Sequence, residues 1–166
     1  MLIRFCAALS LVFSAYAAHA VTIVLADGPP LIFVQIGSGG ATIDQVSFNV
    51  AVANVGNGTP VAGAPVILVA VAARATIGGS RTAQLTANSV VPLVNGAATL
   101  PFASISWTAS DADIPSGTFN GTAAQLLVQF QNSRLLFSNH TFSYANTLVL
   151  QAGTFTGRIT YTVTMP

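Results

Sequence analysis

The sequence predicts an all-β fold, a two-sheet antiparallel sandwich of about 8–10 strands, and three observations predict it. The first is strict alternation near the end of the chain. Phe155, Gly157, Ile159, Tyr161, Val163 and Met165 take the odd positions, and Thr156, Arg158, Thr160, Thr162 and Thr164 take the even ones. Successive strand residues point to opposite faces, so this pattern gives one buried face and one wet face. The second is the lack of helical periodicity beyond residue 20, with Lys and Glu absent and Val, Thr, Ile and Phe abundant. The third is punctuation: runs of strand formers are separated by clusters of Gly, Pro, Asn and Ser. A closed barrel is the alternative architecture.

The elements follow in order. Residues 21–25 form a first short strand, broken by Asp27-Gly28-Pro29-Pro30. Leu31–Ile36 is the second, closed by Gly37-Ser38-Gly39-Gly40. Residues 45–54 form the third, with Val46, Phe48, Val50 and Val52 on one face, and Gly56-Asn57-Gly58-Thr59-Pro60 ends it. Residues 66–74 are nearly all apolar, as in a central strand buried on both faces. Gly78-Gly79 precedes a strand over 81–89. Short strands cover 96–101 and 104–108, and 110–115 is a polar loop. Leu126, Val128 and Phe130 mark one face of the next strand, and Asn132-Ser133 turns it into residues 135–144. Residues 147–150 are short, and Ala152-Gly153 opens the final strand. The hexapeptide at 116–121 echoes the one at 152–157, which reads as a shared turn solution rather than a repeat.

Residues 1–20 read as a cleaved signal peptide: a positive start at Arg4, an apolar stretch, and Ala18-His19-Ala20 before the cut. The apolar stretch is too short to span a bilayer, which needs about 20 residues. Cys6 precedes most of that stretch, the wrong place for a lipid-anchor cysteine. Cleavage removes Cys6, His19 and Arg4, leaving one domain at 21–166 with four Arg, four Asp and no Cys. An exported chain of this kind is held by packing, not by disulfides. No second transmembrane segment is expected.

Composition narrows the function classes. With zero formal net charge after cleavage and no basic cluster, the chain lacks the cations that nucleic acid or an anionic membrane surface requires. Low net charge favours self-association. Catalytic groups are scarce. His140 is the one side chain of the mature sequence that titrates near neutral pH, and it reads as a solvent-facing strand residue. Asp111 and Asp113 are spaced to share a calcium ion, but a solvated loop accounts for them better, because six to eight oxygens are needed. Zinc has no ligand set. Gly37-Ser38-Gly39-Gly40 lacks the Gly-Lys-Ser/Thr of a phosphate cradle. Trp107 shares a face with Ile105 and reads as core. Asn120-Gly-Thr122 and Asn139-His-Thr141 match N-glycan acceptors. Neither catalytic, cofactor nor metal residues are assigned.

Phe142-Ser-Tyr-Ala-Asn146, then Ala152-Gly-Thr-Phe-Thr-Gly157 and the alternating close on Pro166, resembles the end of spore-coat-U-like secreted pilin domains. The resemblance covers about 25 residues. It implies an immunoglobulin-like pilin, exported and assembled by a periplasmic chaperone and an outer-membrane usher through donor-strand exchange. Residues 21–25 or Leu31–Ile36 are then the candidate donor. The expectation is a non-enzymatic subunit of a surface fibre, located in the periplasm, at the cell surface or outside the cell. The alternative is a self-contained secreted module for glycan binding or cell adhesion.

Overall fold

Eleven strands carry the described part of the chain in the computed structural model, which describes residues 29–39, 44–75 and 81–166. They are β1 (Leu31–Ile36), β2 (Val61–Ala62), β3 (Ile67–Arg74), β4 (Thr82–Asn88), β5 (Leu93–Asn95) and β6 (Ala98–Leu100). β7 (Ile105–Ala109), β8 (Gly117–Thr118), β9 (Gln125–Gln131), β10 (Arg134–Tyr144) and β11 (Thr160–Thr164) follow. The signal peptide, the strand expected at 21–25, the Asp27-Gly28 break, Gly40 and the Gly78-Gly79 turn lie outside the described residues.

Every strand pairing is antiparallel. The larger sheet runs β1-β3-β10-β7-β8, with β2 on the end of β10, and the smaller runs β11-β4-β9. β5 and β6 form a separate hairpin. From β3 onward, successive long strands alternate between sheets. β9 lies in the smaller sheet and β10 in the larger, joined through Asn132 and Ser133. Asn132 makes that corner at φ 63, a left-handed conformation that Asn tolerates, and its N–H donates to the Arg81 carbonyl at 3.1 Å.

One core fills the space between the sheets. Ile67, Val69, Val71 and Ala73 of β3 face Ala83, Leu85 and Ala87 of β4, joined by Trp107, Phe119, Phe130, Leu136 and Phe142. β3 is buried on its other face too, at Ala70 and Ala72, as its unbroken apolar run predicts. The final strand, expected to open at Ala152-Gly153, pairs only from Thr160, with one bridge at Thr156 before it, but it keeps the predicted alternation: Ile159, Tyr161, Val163 and Met165 pack against the core, and the threonines between them are exposed. Among the described residues no helix is long and apolar enough to cross a membrane.

Four expectations are corrected. Residues 45–54 are not a strand: they make one bridge, Ser47 to Ala64, and end in a 3-10 turn at Val52–Asn54. Val46 and Phe48 still reach the core, so the alternation reported burial without pairing. Their neighbour β2 is two residues long between Pro60 and Pro65, and proline has no N–H for a ladder. Residues 147–150 form no strand. In β9 the register shifts, with Leu85 opposite Val128 and Thr86 opposite Leu126, which leaves Leu127 as the extra residue of a bulge. Leu127 is therefore buried and Leu126 is 52% exposed, the reverse of the expected face. Finally, the two echoing hexapeptides do not share a turn. Gly117 lies in β8 against the Trp107 ring, whereas Gly153 sits in a loop at φ 138.

Candidate functional site

The polar residues singled out in the sequence are mostly used in holding the fold. His140 lies on β10 in the same parity as Leu136, Ser138, Phe142 and Tyr144, all of which are buried. It is 1% exposed, which corrects the expectation of a solvent-facing residue. Its Nε2 lies 3.3 Å from the Ile114 carbonyl, which can only accept, so Nε2 carries the proton. The ring stacks on Trp107 (centroids 5.8 Å, planes 19° apart) and stands edge-on to Phe142 at 6.2 Å. Burial pushes the imidazole pKa below its ordinary value, with the Ile114 carbonyl partly opposing this. The result is a neutral, packed ring whose hydrogen bond goes to backbone.

Asp111 and Asp113 sit on the loop after β7. The Asp113 N–H donates to Asp111 Oδ1 at 2.8 Å, closing a turn, and Asp113 Oδ1 lies 3.6 Å from Arg134 Nη2. Buried Ser138 receives the Asp111 N–H at 3.3 Å and anchors this loop to β10. Among the described residues no three metal-ligating side chains come together. The Gly37–Gly39 turn is occupied by the chain's own carboxylate, since the Ser38 N–H donates to Asp44 Oδ1 at 3.2 Å. Trp107 is buried, and its Nε1–H donates to the Pro115 carbonyl at 2.8 Å. Asn120 is exposed, its Oδ1 held by the Thr122 N–H and hydroxyl at 3.0 and 2.7 Å. Asn139 and Thr141 are exposed on β10.

One buried polar centre escaped the sequence reading. Asn146, 1% exposed and at φ 53, follows β10. Its Nδ2 reaches the Asn54 carbonyl (2.8 Å), Asn57 Oδ1 (3.0 Å) and the Thr59 carbonyl (3.3 Å). Its Oδ1 accepts from the Gly56 N–H at 3.0 Å. This side chain ties the turn at 54–59 to the segment that leads to β11. Farther along, the Gln151 side chain donates to the Asn95 carbonyl at 2.9 Å, and Thr156 bridges Val94.

Among the described residues β1 pairs only with β3, and β11 only with β4, so each has a free edge. The two strands belong to different sheets, yet they come within 8 Å of each other, Cα to Cα, without a ladder between them. The residues lining this side are apolar and incompletely covered: Val34 and Ile36 on β1, and Ile159, Tyr161, Val163 and Met165 around β11. Burial raises the Tyr161 phenol pKa, so the hydroxyl stays protonated throughout the physiological range. Open backbone donors and acceptors beside half-covered apolar side chains can accept one more strand. The alternating close of the chain signals the half-buried face of β11, but it carries no information about which edge stays open.

No family model, curated protein or solved structure was found to be similar to this chain.

Proposed function

We propose that this chain is a non-enzymatic, pilin-like structural subunit that is exported and builds a surface fibre by strand complementation. The observation that carries the reading is the pair of free edges on β1 and β11, flanking a half-covered apolar lining. Strand order supports it. The order β1-β3-β10-β7 is that of strands A-B-E-D in an immunoglobulin-like sandwich and β11-β4 that of F-C, with β9, which pairs with β4 and precedes β10 in the chain, as a strand outside that scheme. The place of strand G, beside β11, is open among the described residues. A donor strand from a neighbouring copy would add main-chain hydrogen bonds along β11 and seat alternate side chains on Tyr161 and Val163. Residues 21–25, with their partial alternation, are the donor candidate, because Leu31–Ile36 is already engaged as β1. A periplasmic chaperone and an outer-membrane usher are the partners this mode of assembly calls for. The alternative of a glycan-binding or adhesion module draws no support from Trp107 or Tyr144, both of which are buried and offer no stacking platform.

The test is electrophoresis of the purified protein with and without boiling. Strand complementation predicts an SDS-resistant ladder that collapses on heating, and loss of that ladder in Val163→Lys with the β-sheet circular dichroism retained. A protein that stays monomeric and stable at high concentration overturns the proposal.

A further inference from the structure

We infer that Asn95 is a site of spontaneous deamidation, and that its conversion releases the segment leading to β11. The sequence holds three Asn-Gly pairs, at 57–58, 95–96 and 120–121. In such a pair the glycine nitrogen can close on the asparagine side chain, because glycine has no Cβ to crowd the approach. The reaction needs two freedoms. The glycine N–H must be unpaired, and the carboxamide must be able to turn toward it. Two of the pairs lack both. The Gly58 N–H donates to the Asn146 carbonyl at 2.9 Å, and Asn57 Oδ1 accepts from the Thr59 N–H at 2.8 Å and from Asn146 Nδ2 at 3.0 Å. The Gly121 N–H donates to the buried Ser89 hydroxyl at 3.1 Å, and Asn120 Oδ1 accepts from the Thr122 N–H and hydroxyl.

Asn95 differs in both respects. Gly96, at φ 60, takes the first central position of the two-residue turn between β5 and β6, and its N–H has no hydrogen-bond partner among the described residues. The Asn95 carboxamide makes one bond, from Nδ2 to the Ala152 carbonyl at 3.3 Å. The hairpin has three residues a side and belongs to neither larger sheet. A two-stranded hairpin is marginally stable by itself, so this one opens locally at low cost. In the opened turn the Gly96 nitrogen gives its proton to solvent base and attacks Cγ of Asn95. The new N–Cγ bond closes an imide ring, and the Cγ–Nδ2 bond breaks with release of ammonia. Water then opens the ring. Cleavage at Cγ leaves aspartate, and cleavage at the backbone carbonyl leaves isoaspartate, with the chain routed through Cβ. Aspartate sets an acceptor against the Ala152 carbonyl, where Nδ2 had donated. Isoaspartate lengthens the turn and makes a free carboxylate of the carbonyl that accepts from Gln151. Both weaken the neighbouring bridge, in which Val94 and Thr156 exchange N–H to carbonyl bonds at 2.8 and 3.0 Å.

Peptide mapping by mass spectrometry tests the inference, on the folded protein aged in mildly alkaline buffer. Asn95 should convert at least about 10-fold faster than Asn57 or Asn120, because each of those must first break additional hydrogen bonds. In urea, where these restraints vanish, the three sites should convert within about 3-fold of one another. Hydrogen exchange at the Thr156 amide should quicken in the aged protein. Asn95→Gln keeps a carboxamide but closes the larger ring slowly, so its Thr156 amide should stay protected through the same ageing. Conversion of Asn57 or Asn120 as fast as Asn95 in the folded chain overturns the inference. So does an Asn95 that stays intact in the folded chain while it converts in urea. Thr156 exchange that is unchanged by conversion, or that quickens equally in Asn95→Gln, overturns the release of the segment.

Discussion

Replacing Asn146 should be among the most destabilising single changes available outside the apolar core. The side chain makes four hydrogen bonds at 2.8 to 3.3 Å, all to the turn at 54–59, and it is 1% exposed. A buried hydrogen bond contributes about 1 kcal/mol net, and a partner left unsatisfied costs about 1–3 kcal/mol. The backbone adds a second penalty. At φ 53 an alanine pays roughly 1 kcal/mol that glycine does not. Asn146→Ala should therefore lose about 3–5 kcal/mol and Asn146→Gly about 1 kcal/mol less. Asn146→Asp keeps the acceptor for the Gly56 N–H but turns an oxygen toward the Asn54 and Thr59 carbonyls, so it should be no better than alanine. Urea unfolding, followed by tryptophan fluorescence of Trp107, measures all three. An Asn146→Ala variant within about 1 kcal/mol of wild type would refute the reasoning, as would alanine and glycine variants of equal stability.

Two further outcomes are expected. His140 has its folded pKa lowered by burial, so above its unfolded pKa of about 6.5 both states are neutral and the residue imposes no pH dependence. As pH falls from there, the unfolded chain takes up the proton first. Stability should drop until pH passes the lowered folded value. His140→Phe should flatten the slope of unfolding free energy between about pH 7 and pH 5, read by urea titration at each pH. At Gly117 an added Cβ would lie 2.6 Å from Cζ2 of Trp107, whose ring is fixed by its bond to Pro115. Gly117→Ala should cost about 1–3 kcal/mol and alter the near-ultraviolet circular dichroism of Trp107. An unchanged spectrum and midpoint would count against the packing described.

Much of the sheet structure was legible because alternation and burial coincide there. Leu31–Ile36 was read to the residue, β3 was recognised by burial on both faces, and β10 and β11 by their period. The misses have separate physical causes. In 45–54 the period reported side-chain burial, while the ladder was withheld by the short, proline-flanked β2. In β9 three apolar residues in a row, Leu126-Leu127-Val128, conceal which one a bulge expels. β2, β5 and β8, each three residues or shorter, fall below the length at which periodicity can be seen, and they raise the strand number above the expected range. The fate of His140 could have been found, since its parity with Phe142 and Tyr144 points it inward. The free edges could not, because which strand ends a sheet is decided by long-range pairing and leaves no local trace in β1 or β11.

The proximity of β1 and β11 has a kinetic consequence. A strand seated between two neighbours needs about 9.6 Å, twice the spacing of a ladder, and these edges already stand within 8 Å at their closest. A segment that pairs with both edges at once must therefore wait for them to part. On the proposed strand complementation, polymer growth would be gated by breathing of the receiving molecule rather than by collision, and its rate would level off as donor peptide is raised.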